Sequence, residues 1–70
     1  MQVDVNSSSI KSINVDNSGI QITFLSNQYR TYQYKYSPEF QAGLEDVIAR
    51  QYSVGRYVNH ALREGILIPA

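Results

Sequence analysis

The chain has 70 residues and no cysteine, and its six Lys and Arg are matched by six Asp and Glu, so its net charge is zero. Such a length makes one small domain of marginal independent stability. Disulfides and thiolate-held metals are excluded, and a neutral domain has no overall field to draw it to a polyanion. No apolar run approaches the ~20 residues that span a bilayer, and the first residues lack a basic segment followed by an apolar one, so a cytoplasmic location is expected.

Residues 1–9 are polar and end in three serines, which reads as a flexible N-terminal arm. Asn6-Ser7-Ser8 fits the glycosylation acceptor pattern, but with no secretory signal it is taken as chance. The serines have no glycine elbow or neighbouring base, so a loop role is expected for them and not a nucleophilic one. A first strand is predicted over 10–16, where Ile13 and Val15 alternate. Ile10 is out of phase, and a bulge near Lys11 would restore it. Asn17-Ser18-Gly19 supplies residues tolerant of positive φ, and Ile20, Ile22 and Phe24 resume the alternation, which predicts a hairpin.

After a turn at Ser26-Asn27-Gln28, Tyr29-Arg-Thr-Tyr-Gln-Tyr-Lys-Tyr36 predicts a third strand, with Tyr32, Tyr34 and Tyr36 on one side. A sheet covered on one face must bury one parity of this strand, and these three rings are the natural choice. The competing use is a platform on which bases stack, with Arg30 and Lys35 supplying charge beside the rings.

Ser37-Pro38 caps and opens a helix whose Phe40, Leu44, Val47 and Ile48 form an apolar stripe. A break near Arg50-Gln51-Tyr52 precedes Ser53, the cap of a second helix with Val54, Tyr57, Val58, Ala61 and Leu62 at helical spacing. Gly65 is placed to end it in a left-handed conformation. The apolar run Ile66-Leu67-Ile68-Pro69 either tucks against the core, pairs with a sheet edge or serves a partner. The prediction is an α+β fold, a three-stranded antiparallel β-meander followed by two α-helices packed on one face, with 10–65 as the domain and 66–70 as an apolar C-terminal tail.

Arg56, Asn59, His60 and Arg63 recur at i, i+3, i+4 and i+7 and share one polar face of the second helix. Between Arg50 and Arg63 the chain has three arginines and no acid, whereas the first helix holds Glu39, Glu45 and Asp46. A basic face of this kind either is simply solvated or binds phosphates, to which the arginine fork is suited. His60 has no nucleophile or acid fixed beside it and reads as a surface histidine, not as a catalytic base. One histidine makes no zinc site, and no cofactor is implied.

The order of features also carries a family resemblance. Serines and Ile10 before a strand, a hairpin, Tyr32-Gln33-Tyr34, a Ser-Pro helix start and Ser53-Val-Gly55-Arg-Tyr57-Val-Asn59 together resemble the KTSC domain, over roughly residues 7–64. That module stands alone in bacterial and phage proteins and also sits at the C-terminus of some lysyl-tRNA synthetases. Its Tyr-x-Tyr corresponds to Tyr32 and Tyr34, and its Ser-x-Gly-x-aromatic-x-Asn pattern to Ser53, Gly55, Tyr57 and Asn59. Ser26-Asn27-Gln28 stands where the family commonly has a glycine, and Val15 where it often has a tyrosine. The resemblance implies a non-catalytic domain, with RNA binding suggested by the attachment to a synthetase.

The expected function is therefore a small binding module and not an enzyme, contacting RNA or other nucleic acid through Arg56, Asn59, His60 and Arg63, with Arg30 and Lys35 contributing. The alternative is a protein–protein interaction or inhibitory accessory module of phage or bacterial origin, or one that self-associates as a dimer. A small anionic ligand on the same arginines is a third option. No membrane and no metal is expected among the partners.

Overall fold

The alternation of Ile13, Val15, Ile20 and Ile22 decides the architecture, because each of these four side chains is at most 2% exposed and all lie on one face of a sheet. The computed structural model describes residues 9–70 and the backbone of Gln2–Asp4. Its elements are β1 (Gln2–Asp4), β2 (Ile10–Asp16), β3 (Gly19–Phe24), β4 (Thr31–Tyr34), α1 (Pro38–Ala49) and α2 (Val54–Arg63). The strands form one antiparallel sheet in the order β1-β2-β3-β4.

The predicted α+β fold is present: a β2-β3-β4 meander followed by two helices. β1 is an addition, for Gln2–Asp4 belongs to the segment expected to be a flexible arm, yet it pairs with β2 with Val3 opposite Ile13. Three residues are too few to show a period in sequence, while their pairing supplies partners for the outer backbone groups of β2. Met1 and residues 5–8, including the Asn6-Ser7-Ser8 pattern, lie outside the described residues.

Cross-strand register builds the core. Ile13 faces Ile22, which faces Tyr32, and Val15 faces Ile20, which faces Tyr34. A register shift between Ile10 and Ser12, the bulge expected near Lys11, brings Ile10 opposite Phe24 and into the same cluster. Phe40, Leu44 and Val47 of α1 and Val54, Val58 and Ala61 of α2 complete that cluster. Ile48, expected in the α1 stripe, is instead 41% exposed. At 100° per residue it lies about 80° round the helix from Phe40, whereas Val47 lies within about 20°.

The opposite face of the sheet is polar. Asn14, Gln21 and Gln33 are aligned across three strands, and so are Ser12, Thr23 and Thr31, with the two threonine hydroxyls 3.0 Å apart.

The Asp16 carboxylate closes the β2-β3 turn by accepting from the Ser18 hydroxyl and from the backbone N–H groups of Ser18 and Gly19. These bonds, the Ser18 hydroxyl first, hold its pKa below the ordinary 3.8. Gly19 has φ +152°, and a Cβ there would stand 2.7 Å from the Tyr34 carbonyl oxygen of β4, so no larger residue fits.

β4 is shorter than the predicted tyrosine strand. Tyr29 lies in the preceding turn with its side chain fully in solvent, and Tyr36, 40% exposed, lies beyond the strand and donates to Gln41 Oε1. The backbone beyond Tyr34 is captured by the tail. Lys35 N–H donates to the Ile68 carbonyl at 2.8 Å, Ala70 N–H donates to the Gln33 carbonyl at 3.1 Å, and Leu67 is 2% exposed. Of the alternatives for the tail, packing on the core and pairing with the sheet edge are both realised.

Candidate nucleic-acid interface

α2 begins where α1 ends in an unusual way. Gln51 N–H donates to the Ile48 carbonyl, Tyr52 N–H donates to the Val47 carbonyl, and Gln51 sits at φ 60°, the left-handed position that glycine normally takes in this terminator. Ser53 then turns the chain into α2, its Oγ accepting from Arg56 N–H at 3.3 Å. At the other end Gly65, with φ +73°, lets Ile66 N–H donate to the Ala61 carbonyl, the stop expected from sequence.

Between these ends the two faces of α2 are used differently. Val54, Gly55, Val58 and Ala61 are buried. Tyr57 clasps the helices together: its ring stacks on Phe40 with centroids 5.3 Å apart, and its hydroxyl donates to the Phe40 carbonyl at 3.0 Å. The phenol lies against Gly43, where a Cβ would come within 2.7 Å of Tyr57 Cζ. Only a residue without a side chain allows this approach.

Arg56, Asn59, His60 and Arg63 are all exposed on the outer face. At 1.5 Å per residue they extend over about 10 Å of helix axis. α2 contains no acid, its first turn carries none, and His60 and Arg63 lie in its last turn, where cations suit the negative helix end. Among the described residues the one ion pair joins Arg50 to Asp46, 2.9 Å apart, and it involves neither Arg56 nor Arg63. Asp46 of α1 thus pairs with the first of the three arginines. The hydrogen bond that Arg50 donates to Asp46, followed by the one it donates to the Tyr52 oxygen, raises the Arg50 pKa above its ordinary value.

The other two proposed contributors stand elsewhere. The Arg30 guanidinium lies 5.0 Å from the centroid of the Tyr32 ring, which meets Phe24 edge-on at 5.5 Å. Lys35 lines a hollow with Tyr36, Glu39, Gly65 and Ile68, beside the tail. Among the described residues no hydrogen bond, ion pair or ring contact links either cation to the α2 face.

The positions that resemble the KTSC motif divide in the same way. Tyr34 is buried and Tyr32 is half-buried against the core, Ser53 caps α2, Gly55 is buried, and Tyr57 joins the helices. Ser53 and Asn59 are both exposed, but Ser53 is used as the cap of α2, while Asn59 sits among the basic residues.

One feature escapes the motif. Tyr52, 60% exposed, lines an open hollow of about 410 Å³ with Val47, Ser53, Arg56 and Tyr57. Its signal in the sequence is an aromatic at a helix break immediately before the cap, a pattern that marks no function by itself.

Among the described residues no group of three or more His, Asp or Glu is placed to hold a metal ion, and no helix is long and apolar enough to cross a membrane. Comparison with protein-family models, with curated proteins and with solved structures finds no match to this chain.

Proposed function

We propose that this domain is a small non-catalytic module that binds nucleic acid, RNA foremost, in the cytoplasm. The observation that carries the reading is the outer face of α2, where Arg56, Asn59, His60 and Arg63 are exposed together and make no ion pair with a described residue. The resemblance to the KTSC domain adds support, because its other motif residues are occupied in capping and packing while Asn59 is not. Arg56 and Arg63 hold phosphates, and Asn59 and His60 lie between them with donors and acceptors. Arg30 and Lys35 extend the contact for a longer strand.

The test is the affinity for single-stranded RNA at several salt concentrations, in wild type and in the combined variant Arg56→Ala, Arg63→Ala. A slope of roughly −0.7 in log K against log salt per phosphate contact is expected, with a shallower slope and weaker binding in the variant. Equal affinity and equal slope in both proteins would remove the α2 face from the proposal.

The second reading is a protein-interaction or self-associating module of phage or bacterial origin. It is favoured by the zero net charge and by the exposure of Ile48 and Tyr52, 41% and 60%, at the end of α1. The tail is a poor basis for it, since Leu67 is buried within the domain. A partner recovered stoichiometrically from lysate after nuclease treatment, and lost on Ile48→Asp, would favour this reading over the first.

A further inference from the structure

The hollow beside the basic face gives that face a substrate preference. It is lined by Val47, 9% exposed, and the half-buried Tyr57, together with the exposed Tyr52 and Arg56. The Tyr52 backbone is fixed by its N–H bond to the Val47 carbonyl at 2.9 Å. The ring therefore projects from an anchored position although most of it is in water.

Two of the hydroxyls around the hollow are engaged within the domain. Ser53 Oγ accepts from Arg56 N–H, and the Tyr57 hydroxyl donates to the Phe40 carbonyl. What is left for a ligand is an aromatic face and the flat guanidinium of Arg56, both suited to stacking. Arg56 also begins the row that continues through Asn59 and His60 to Arg63, so an occupant of the hollow lies next to the phosphate-binding line.

We infer that the hollow formed by Tyr52 and Arg56 receives one unpaired base of a single-stranded RNA whose phosphates follow the outer face of α2. This rests on the RNA reading of that face. Two properties follow. Single strands bind in preference to duplexes, whose bases are stacked on one another and offer no free face. The base is held by its face, which every base has, so binding tolerates its identity.

The experiment uses fluorescence anisotropy with a labelled 12-nucleotide oligouridine, a labelled oligoadenosine of the same length and a blunt RNA duplex, at several salt concentrations. Wild type is compared with Tyr52→Ala, Tyr52→Leu, Tyr52→Phe and the combined Arg56→Ala, Arg63→Ala protein. Tyr52→Ala and Tyr52→Leu are expected to lose roughly 10-fold in affinity for both single strands with the salt slope unchanged, and Tyr52→Phe to bind as wild type. Leu retains apolar bulk, so its loss cannot be assigned to misfolding. The arginine variant flattens the slope.

If Tyr52→Ala and Tyr52→Leu bind like wild type while the arginine variant does not, the stacking inference is overturned and the RNA reading of α2 stands. Equal affinity for the duplex and the single strands overturns it as well. If wild type binds none of the three probes, the inference and the reading beneath it fail together.

Discussion

The two faces of α2 are built from the same ten residues and have opposite relations to the fold. On the inner face every side chain has a structural account: Val58 and Ala61 fill the core, and Tyr57 is stacked, hydrogen-bonded and seated against Gly43. On the outer face Arg56, Asn59, His60 and Arg63 carry out no packing that the domain requires. A helix of this length has room for both tasks because its period separates them, so stability and binding should be open to change independently.

Tyr57→Ala is the most severe way to break the inner face. Loss of a stacked ring and its hydrogen bond is expected to cost about 3 kcal/mol in a urea melt, and because Tyr57 also lines the hollow at Tyr52, RNA affinity of the remaining folded protein is expected to fall as well. The inner face continues beyond Gly65 into Leu67, and Leu67→Ala is expected to cost about 2 kcal/mol, against a few tenths for the half-exposed Ile68→Ala. Calorimetry of the pair would show whether the tail is as integral as its burial implies.

Gln51→Gly works on the joint that sets α2 in place and on neither face. Relieving a left-handed non-glycine residue should raise stability by about 1 kcal/mol and leave RNA affinity unchanged. A fall in stability would mean that the Gln51 side chain contributes more than its backbone costs.

Alkali separates the faces again. Burial, and secondarily the charge of Glu39, holds the Tyr57 hydroxyl above the usual 10.0, while burial and then Tyr32 do so for Tyr34. A phenol whose ionisation is resisted by the fold contributes fully below its unfolded value and loses that contribution as pH rises through the folded one. Stability is therefore expected to be level up to about pH 10 and to decline above it, and Tyr57→Phe should decline less. The smallest effect is on the outer face: the combined Arg56→Ala, Arg63→Ala protein should melt within about 0.5 kcal/mol of wild type. A larger loss would show that these arginines support the fold after all.

The elements with a clear period were legible in the sequence. Two hydrophobic alternations around Asn17-Ser18-Gly19 gave the hairpin, and even the bulge followed from the phase of Ile10. The helix starts followed from Ser37-Pro38 and Ser53, whose hydroxyls accept the expected backbone bonds. What escaped was set by tertiary contact. β1 is too short to show alternation, and β4 ends early because Lys35 bonds to a residue 33 positions later. Gly43 gives no local signal, since its reason is a phenol on the other helix. Of the candidate site, the α2 face could be read from its spacing, whereas the contact of Arg30 with Tyr32, the hollow beside Lys35 and the hollow at Tyr52 depend on how several elements meet.

The pairing of Tyr34 with Pro69 links residues at the middle and the far end of the chain. Both helices lie between them in sequence, so this edge cannot form until the helices have docked and the intervening loop closure has been met. The amide protons of Lys35 and Ala70 are thereby guarded by the whole of the domain's second half. In native-state hydrogen exchange the Lys35 proton should open together with the core strands, although the residue itself lies outside any strand.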